Sequence, residues 1–174
     1  MITGRVWRFG DNINTDLMIP NHVLHASEEE QLKAVFSANR PGWVDEVRKG
    51  DILIAGHNFG MGSARAGARS LRNVGLACMV AESLNGLHLR NSVNYGFVAL
   101  ECAGVSTAFS EGDIAEISLK DFTVRNKTTG VTLKASPIPE RLLTLMQNGG
   151  TFPLLEAEGY VSAVRPPKIG GGHK

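Results

Sequence analysis

Three short, almost continuously apolar runs in the middle of the chain limit the folds that it can adopt. They cover residues 52–55, 76–81 and 97–101, and a helical pattern separates each run from the next. Apolar runs without alternation are typical of strands covered on both faces, and a strand–helix–strand order is typical of a parallel sheet. The sequence therefore predicts a parallel α/β core.

Alternating stretches lie outside this core. Residues 2–9 predict a first strand. After the core, three short alternating stretches separated by turn residues cover 113–119, 122–126 and 131–135. They predict an antiparallel β annex attached to the α/β core.

Helix signals complete the pattern. Ser27 and Glu30 form the sequence of a capping box, which predicts a helix that runs to about Ala38. A further helix is expected at 87–95, and a last one at 139–147.

Length and charge limit the possible partners. The 174 residues suffice for one domain, which we predict over 1–165, with a flexible tail over 166–174. A formal net charge of +1 gives no general field for a polyanion or a membrane surface. We therefore expect a small molecule or another protein as partner, and neither nucleic acid nor a membrane.

The two cysteines and the amino terminus indicate the compartment. Cys78 and Cys102 lie in apolar runs outside any Cys-x-x-Cys pair, so we expect buried thiols and no metal or iron–sulfur site in this chain. The amino-terminal segment lacks an apolar leader. We expect a cytoplasmic protein.

A segment rich in glycine and arginine, GHNFGMGSARAGARSLRNVG, occupies residues 56–75. It matches neither the dinucleotide-binding G-x-G-x-x-G, nor a Walker A loop, nor the G-x-S-x-G nucleophile elbow. Small residues let the backbone approach a ligand, and a helix that begins near Ser63 would direct free N–H groups toward an anion. Arg65 in the first turn of such a helix, on one face with Arg69 and Arg72, also favours a bound anion. A plain strand-to-helix turn with a solvated basic face is the alternative.

Three stretches of the sequence occur together in one known family. GDNINTD begins at residue 10 and is followed by an Ile-Pro pair, NFGMGSAR begins at residue 58, and RNSVNYG begins at residue 90. In order and spacing they resemble the small subunits of 3-isopropylmalate dehydratase, members of the aconitase family, over about residues 3–158. The resemblance implies a swivelling β/β/α domain like the aconitase C-terminal domain, with the parallel core and the antiparallel annex described above.

The resemblance also implies an activity that needs a second chain. In the family a large subunit carries a [4Fe–4S] cluster, whose iron acts as a Lewis acid on the hydroxyl group that leaves. The heterodimer is a hydro-lyase that moves a hydroxyl group between adjacent carbons of a hydroxy-di- or tricarboxylic acid, as in leucine biosynthesis. The implied partners are therefore the large subunit and a small hydroxy acid, with no cofactor in this chain itself.

The matching stretches assign roles to individual residues. The serine base of the family falls on Ser63, and its arginine for a substrate carboxylate falls on Arg65. Thr15 and Asp16 match a Thr-Asp pair that orients groups in the site. A helix amino terminus and the neighbouring arginine would make an alkoxide on Ser63 less costly.

Residues around the site depart from the family pattern. The family loop reads GCGSSREHA and this chain reads GMGSARAGA, so Gly62 and Ala64 flank Ser63 without the usual second serine. In place of an Arg-Tyr-Leu element, the chain keeps Leu24 and offers His22, which could bind a carboxylate or be merely exposed. The expected substrate is 3-isopropylmalate or, more in keeping with these changes, a related 2-alkylmalate, homoaconitate or maleate.

Two other functions stay open at this point. One is a non-catalytic regulatory or binding subunit that kept the fold, although the presence of Ser63 and Arg65 weighs against it. The other is an unrelated anion-binding domain, against which the two further matching stretches weigh. A neighbouring reading frame for a cluster-bearing large subunit would separate these alternatives.

Overall fold

The computed structural model describes residues 1–162. The strands are β1 (Ile2–Arg8), β2 (Ile52–Ala55), β3 (Cys78–Ala81), β4 (Val98–Glu101), β5 (Ile114–Ser118), β6 (Thr123–Asn126) and β7 (Thr132–Lys134). The α-helices are α1 (Thr15–Met18), α2 (Glu28–Lys33), α3 (Trp43–Glu46), α4 (Gly67–Asn73), α5 (Gly86–Tyr95), α6 (Val105–Ala108), α7 (Glu140–Gln147) and α8 (Thr151–Ala157). A short 3₁₀ helix, Asn21–Val23, follows α1.

The strands form one mixed sheet in the order β4-β3-β2-β1-β5-β6-β7. Strands β1 to β4 pair in parallel. On the other side of β1, β5 pairs antiparallel and the sheet continues through β6 and β7. The predicted α/β core and antiparallel annex are therefore confirmed, as two halves of one sheet joined at β1.

The central strands are covered on both faces, which explains their unbroken apolar sequence. Every residue of β2 and β3 is buried. Successive side chains enter opposite cores, because a strand alternates between its two faces. Leu53 belongs to the core that contains Phe36 and Trp43, whereas Ile54 belongs to the core that contains Phe109 and Val124.

The helix predicted from the capping box is shorter than expected. Ser27 and Glu30 do form the reciprocal bonds of a capping box, but α2 ends at Lys33 and does not reach Ala38. Phe36 has a φ of 57°, a left-handed conformation through which a right-handed helix cannot continue. The prediction is therefore right at the start of the helix and wrong at its end.

A helix that was not predicted follows α7. It begins at Thr151, directly after Gly149 and Gly150, which have φ values of 86° and 106°. Its proline, Pro153, lies in the first turn, where a missing N–H costs no helical hydrogen bond. Because α8 follows α7, the prediction that 139–147 is the last helix is wrong.

The ends of the predicted domain are only partly covered. The predicted boundary at residue 165 and the predicted tail at 166–174 lie outside the described residues, so both stay predictions. Among residues 1–162, no helix has the length and apolar character that a membrane crossing requires.

Candidate active site

The loops that follow β1, β2 and β3 meet beyond the carboxyl ends of these parallel strands. Asn14 and Met61 form an isolated β-bridge between the first two loops, and Phe59 and Leu84 form another between the second and the third. In open α/β sheets, ligands bind where such loops meet at the carboxyl ends of the strands. The middle one, residues 56–66, is called the glycine loop below.

The path of the glycine loop requires its glycines. Gly60 and Gly62 have φ values of 80° and 102°, which residues with a Cβ rarely adopt. A Cβ on Gly60 would lie 2.3 Å from the Cβ of His88, so the loop backbone packs directly on this histidine. The N–H of Gly60 also donates to the carbonyl oxygen of Ile13 at 2.7 Å. The loop is thus held both by α5 and by the loop after β1.

Ser63 lies in an exposed turn of this loop. Its N–H donates to Oγ1 of the buried Thr15 at 2.9 Å. Its carbonyl oxygen accepts a hydrogen bond from the N–H of Arg65 at 2.8 Å, which closes a tight turn. The backbone of the serine is therefore fixed, while the residue remains open to solvent at the carboxyl ends of the strands.

The prediction that a helix begins near Ser63 is wrong. Helix α4 begins at Gly67. The positive φ of Gly62 and the tight turn that follows it interrupt helical hydrogen bonding before that point. Arg65 is therefore not in a first helical turn, and the dipole of α4, whose effect falls off within its first turn, does not stabilise a charge on Ser63.

The two other arginines of the segment do lie on α4, but they face protein groups. Nε of Arg69 is buried without a hydrogen-bond partner among the described residues and lies 3.9 Å from Glu28. The Arg69 guanidinium also lies 5.7 Å from the centre of the Tyr95 ring. Nη1 of Arg72 donates to the carbonyl oxygen of Tyr95 at 2.5 Å. The arrangement is neither a solvated basic face nor a site built from three arginines, and Arg65 is the arginine that the glycine loop contributes.

Arg65 is buried against the segment that follows β1. Its side chain is 8% exposed, and Nη2 lies 2.7 Å from Asp16 and 2.6 Å from Oδ1 of Asn21. Nη1 donates to the carbonyl oxygen of Ile19. A further donor, Nε, is buried and has no partner among the described residues. A buried N–H without an acceptor is costly, so an additional anion at this guanidinium would be stabilised.

The predicted site residues differ in where the structure places them. Direct contacts join Thr15, Asp16, Ser63 and Arg65. Gly62 lies beside Thr15, because a Cβ on it would lie 3.0 Å from Oγ1 of Thr15. Ala64 follows Ser63 and is exposed. His22 is exposed beside Asn21, and Leu24 packs against the apolar core. Sequence reasoning missed Asn21 as a partner of Arg65, because one amide in a loop carries no signal of its own.

His88 supports the glycine loop, and no sequence signal indicated this. Its ring packs edge-on against the ring of Phe59 at 5.1 Å, and its Nε2 lies 3.3 Å from Sδ of Met79. Burial lowers the pKa of His88 to about 4, so the ring is neutral near pH 7. A neutral, buried imidazole beneath Gly60 acts as a packing group.

The described residues do not fit an iron–sulfur cluster. Cys78 and Cys102 are both buried, as predicted, and burial raises the pKa of their thiols to about 12 and about 11. Cluster ligands are thiolates, which such surroundings disfavour. Within residues 1–162, no group of three or more His, Cys, Asp or Glu side chains could hold a metal ion. A cluster would need ligands from outside these residues.

Sequence comparisons find relatives over most of the chain. The family described as Aconitase C-terminal domain matches residues 8–104, a span that contains the three loops and α5. The isopropylmalate/citramalate isomerase small subunit of Methanocaldococcus jannaschii is 37% identical over 158 residues, which are 90% of this chain and 94% of that protein. The methanogen homoaconitase small subunit of Methanothermobacter thermautotrophicus is 38% identical over 152 residues, which are 86% and 88% of the two chains.

A solved structure has the same architecture. The crystal structure of 3-isopropylmalate dehydratase from Methanocaldococcus jannaschii superimposes with a TM-score of 0.85 at 26% sequence identity. The match covers 91% of this chain and 95% of the other. The fold predicted from the three matching stretches is thereby confirmed.

Proposed function

Because the chain belongs to the Aconitase C-terminal domain family, we propose that it is the small subunit of a hydro-lyase that reversibly dehydrates a hydroxy-di- or tricarboxylic acid. The two relatives named above are small subunits with isopropylmalate, citramalate or homoaconitate chemistry in their names. These acids share two or three carboxylates. An arginine that can receive a carboxylate is therefore the group that this site must supply.

One observation carries the proposal: an exposed serine and a buried arginine with a spare donor occupy the same tight turn. Nε and Nη2 form one edge of a guanidinium, the edge that grips a carboxylate with two hydrogen bonds. In Arg65, Nη2 contacts Asp16, whose side chain is 49% exposed, and Nε has no partner among the described residues. A substrate carboxylate that replaces Asp16 gains both bonds.

The reaction removes a proton and a hydroxyl group from adjacent carbons, forms a carbon–carbon double bond and releases water. We assign the proton transfer to Oγ of Ser63, which takes the proton from the carbon beside a carboxylate and returns it when water adds back. Arg65 holds a carboxylate of the acid, and Thr15 fixes the backbone of Ser63 through Oγ1. Asp16 is proposed to orient Arg65 before the acid binds.

A serine hydroxyl is protonated near neutral pH, so the base must be activated. The start of α4 at Gly67 rules out the helix dipole as the cause. The side chain of Arg65 points to the segment after β1, where its partners are Asp16 and Asn21. We therefore place the activation of Ser63 in the assembled site, after the acid and the second subunit have bound.

The second subunit is the proposed source of the cofactor. The described residues of this chain do not fit a [4Fe–4S] cluster, so we place the cluster on a large subunit that pairs with this chain as a heterodimer. A bound cluster supplies Lewis-acid chemistry at a hydroxyl or carboxylate. Action in the cytoplasm stays a prediction.

The departures from the family pattern around the turn support a substrate other than 3-isopropylmalate. We propose that Gly62, Ala64 and His22, which are all exposed, contact the acid. Leu24 packs against the core and would hold the segment that carries His22. A 2-alkylmalate, homoaconitate or maleate is the proposed class.

Co-expression with the large subunit under anaerobic conditions tests the proposal. The cluster-loaded complex is screened with 3-isopropylmalate, citramalate, homoaconitate and maleate, and alkene absorbance is followed. Ser63→Ala should lower kcat by about 10²- to 10⁴-fold, the usual contribution of a positioned proton-transfer group. Ser110→Ala, which changes an exposed serine outside the glycine loop, serves as the matched control.

Two outcomes would contradict the proposal. Near-normal turnover by Ser63→Ala would remove the base role. An intact, cluster-loaded complex that binds but turns over none of the acids would favour a regulatory or binding subunit instead.

A further inference from the structure

We propose that Asn91, on α5, is a positioning residue for the turn that carries Ser63 and Arg65. The inference rests on the proposed function, because it concerns the same turn. Oδ1 of Asn91 accepts a hydrogen bond from the N–H of Ala68 at 3.1 Å. Ala68 is the second residue of α4, which begins two residues after Arg65.

Helix α4 has no side-chain cap of its own. Its N-cap residue, Ala66, makes no capping hydrogen bond. The first N–H groups of a helix lack helical partners, and the N-cap side chain normally accepts from one of them. Here the acceptor comes from Asn91, 23 residues later in the sequence and on a neighbouring helix. The start of α4 is therefore held by α5.

Close packing against α1 also limits the position of this helix start. A Cβ on Gly67 would lie 2.9 Å from Sδ of Met18, a fully buried residue at the end of α1. The backbone at the start of α4 is thus in close contact with α1, while Asn91 binds it from α5. A shift of the helix start toward Met18 is opposed by steric contact, and a shift away from Asn91 breaks the hydrogen bond.

The turn between Ser63 and Arg65 has anchors on both sides. Upstream, Gly60 donates to the loop after β1, and the N–H of Ser63 donates to Thr15. Downstream, the bond from Ala68 to Asn91 is the first side-chain anchor that the backbone meets. Loss of this bond removes one anchor at the downstream end of the turn, and small displacements of a base and a carboxylate-binding group are costly in rate.

The chain offers a rescue variant and a matched control. Among residues 1–162, the Asn91 side chain makes one hydrogen bond, in which its Oδ1 accepts from the N–H of Ala68. An aspartate can therefore supply the same acceptor. Asn94 lies three residues later on α5, and its Oδ1 accepts from Oγ1 of Thr151 at the start of α8. Asn91→Leu removes the acceptor at similar size, Asn91→Asp keeps it, and Asn94→Leu removes the acceptor that faces α8.

The experiment compares these variants with Ser63→Ala in the complex with the large subunit. Asn91→Leu should lower kcat about tenfold to a hundredfold, with a smaller change in KM. The variant disturbs the catalytic geometry but leaves the charge partners of the acid in place. Asn91→Asp should keep kcat within about threefold of the parent, and Asn94→Leu within about twofold. In a hydrogen-exchange experiment, the Ala68 amide should exchange about fivefold faster in Asn91→Leu, as expected for one lost hydrogen bond. Its exchange rate should not change in Asn94→Leu.

The outcomes separate the inference from the function on which it rests. If Ser63→Ala is inactive but Asn91→Leu keeps the parent kcat, the inference is overturned and the function stands. Equal losses in Asn91→Leu and Asn91→Asp also overturn it, because the acceptor is then not the cause. If Ser63→Ala is fully active, the proposed function fails. Should Asn91→Leu not assemble, Asn91→Ser carries the same test, because its hydroxyl is too short to reach Ala68.

Discussion

Two arginine–aspartate pairs lie at opposite ends of the parallel strands, and they are built in opposite ways. At the amino end of β2, the carboxylate of Asp51 is buried and the side chain of Arg5 is 40% exposed. Beyond the carboxyl ends of the strands, the guanidinium of Arg65 is buried and the side chain of Asp16 is 49% exposed. The N–O distances are similar, 2.8 and 2.7 Å, so geometry alone does not distinguish the pairs.

The pairs differ in whether the buried charge is satisfied. Oδ2 of Asp51 accepts hydrogen bonds from three donors, namely Arg5 Nη2, Trp7 Nε1 and the N–H of Arg48. The buried Arg65 keeps a donor without a partner, and its aspartate can leave for solvent. A fully bonded buried charge is costly to disturb, whereas one with a spare donor and an exposed partner is available to a ligand.

For the two arginine–aspartate pairs, the largest expected effect comes from Arg65→Lys in the assembled enzyme. Lysine keeps the positive charge but loses the planar edge that holds a carboxylate with two bonds. We expect kcat/KM to fall about 10²- to 10³-fold, a loss typical of one well-placed donor group. Arg5→Lys, the same change in the other pair, should leave kcat/KM unchanged. Equal losses in both variants would show that the two pairs do not differ in role.

The second prediction compares two glycines near the two ends of the strands. Gly60 and Gly50 both have a positive φ. A Cβ at Gly60 would lie 2.3 Å from the Cβ of His88, whereas a Cβ at Gly50 would meet no atom within 4 Å. In denaturant unfolding of the chain, Gly60→Ala should cost about 3 kcal/mol or more, since overpacking adds to the strain. Gly50→Ala should cost about 1 kcal/mol, the strain alone. Equal costs would mean that His88 moves aside readily.

These contrasts mark what the sequence could predict. The apolar run at Ile52–Ala55 and the capping box at Ser27 are local patterns, and both appear in the structure as expected. Two-sided burial and helix capping act over a few residues, so a few residues suffice to recognise them. The parallel core and its antiparallel annex followed from such patterns alone.

The backbone of the site could not be predicted in the same way. A glycine at position 62 permits a positive φ without requiring it, so the helix was placed four residues too early. The bonds that fix the turn join residues far apart in sequence, such as Thr15 with Ser63 and Asn91 with Ala68. Local pattern carries no information on such pairs. The roles of Ser63 and Arg65 came from the family resemblance and stay predictions.

The third prediction concerns the satisfied pair and its dependence on pH. Burial raises the pKa of Asp51, but the three hydrogen bonds named above lower it further, and the net pKa lies below the ordinary value of 3.8. The stabilisation is therefore complete above the unfolded pKa and is lost as the pH falls through the lower pKa of the folded state. At pH 7, Asp51→Asn should lower the free energy of unfolding by about 2 kcal/mol, the usual value for hydrogen bonds to a charge.

Unfolding curves between pH 7 and pH 2 would check this prediction. The difference between the parent and Asp51→Asn should shrink below about pH 4, where the parent carboxylate takes up its proton. Asp45→Asn, a change at an exposed aspartate six residues earlier, should cost little at any pH in this range. A constant difference down to pH 2 would show that the charge of Asp51 does not contribute.

The smallest effect on stability should come from Asp16→Asn in the other pair. The side chain is 49% exposed, and exposed ion pairs contribute less than about 1 kcal/mol, so the unfolding curve should barely move. In the assembled enzyme, however, a neutral amide competes less with the substrate carboxylate for Arg65, and KM should fall by about threefold. A lower kcat at unchanged KM would instead report an orienting role during the reaction. If Asp16→Asn destabilises the chain as much as Asp51→Asn does, then Asp16 holds the fold together, and the contrast between the two pairs is lost.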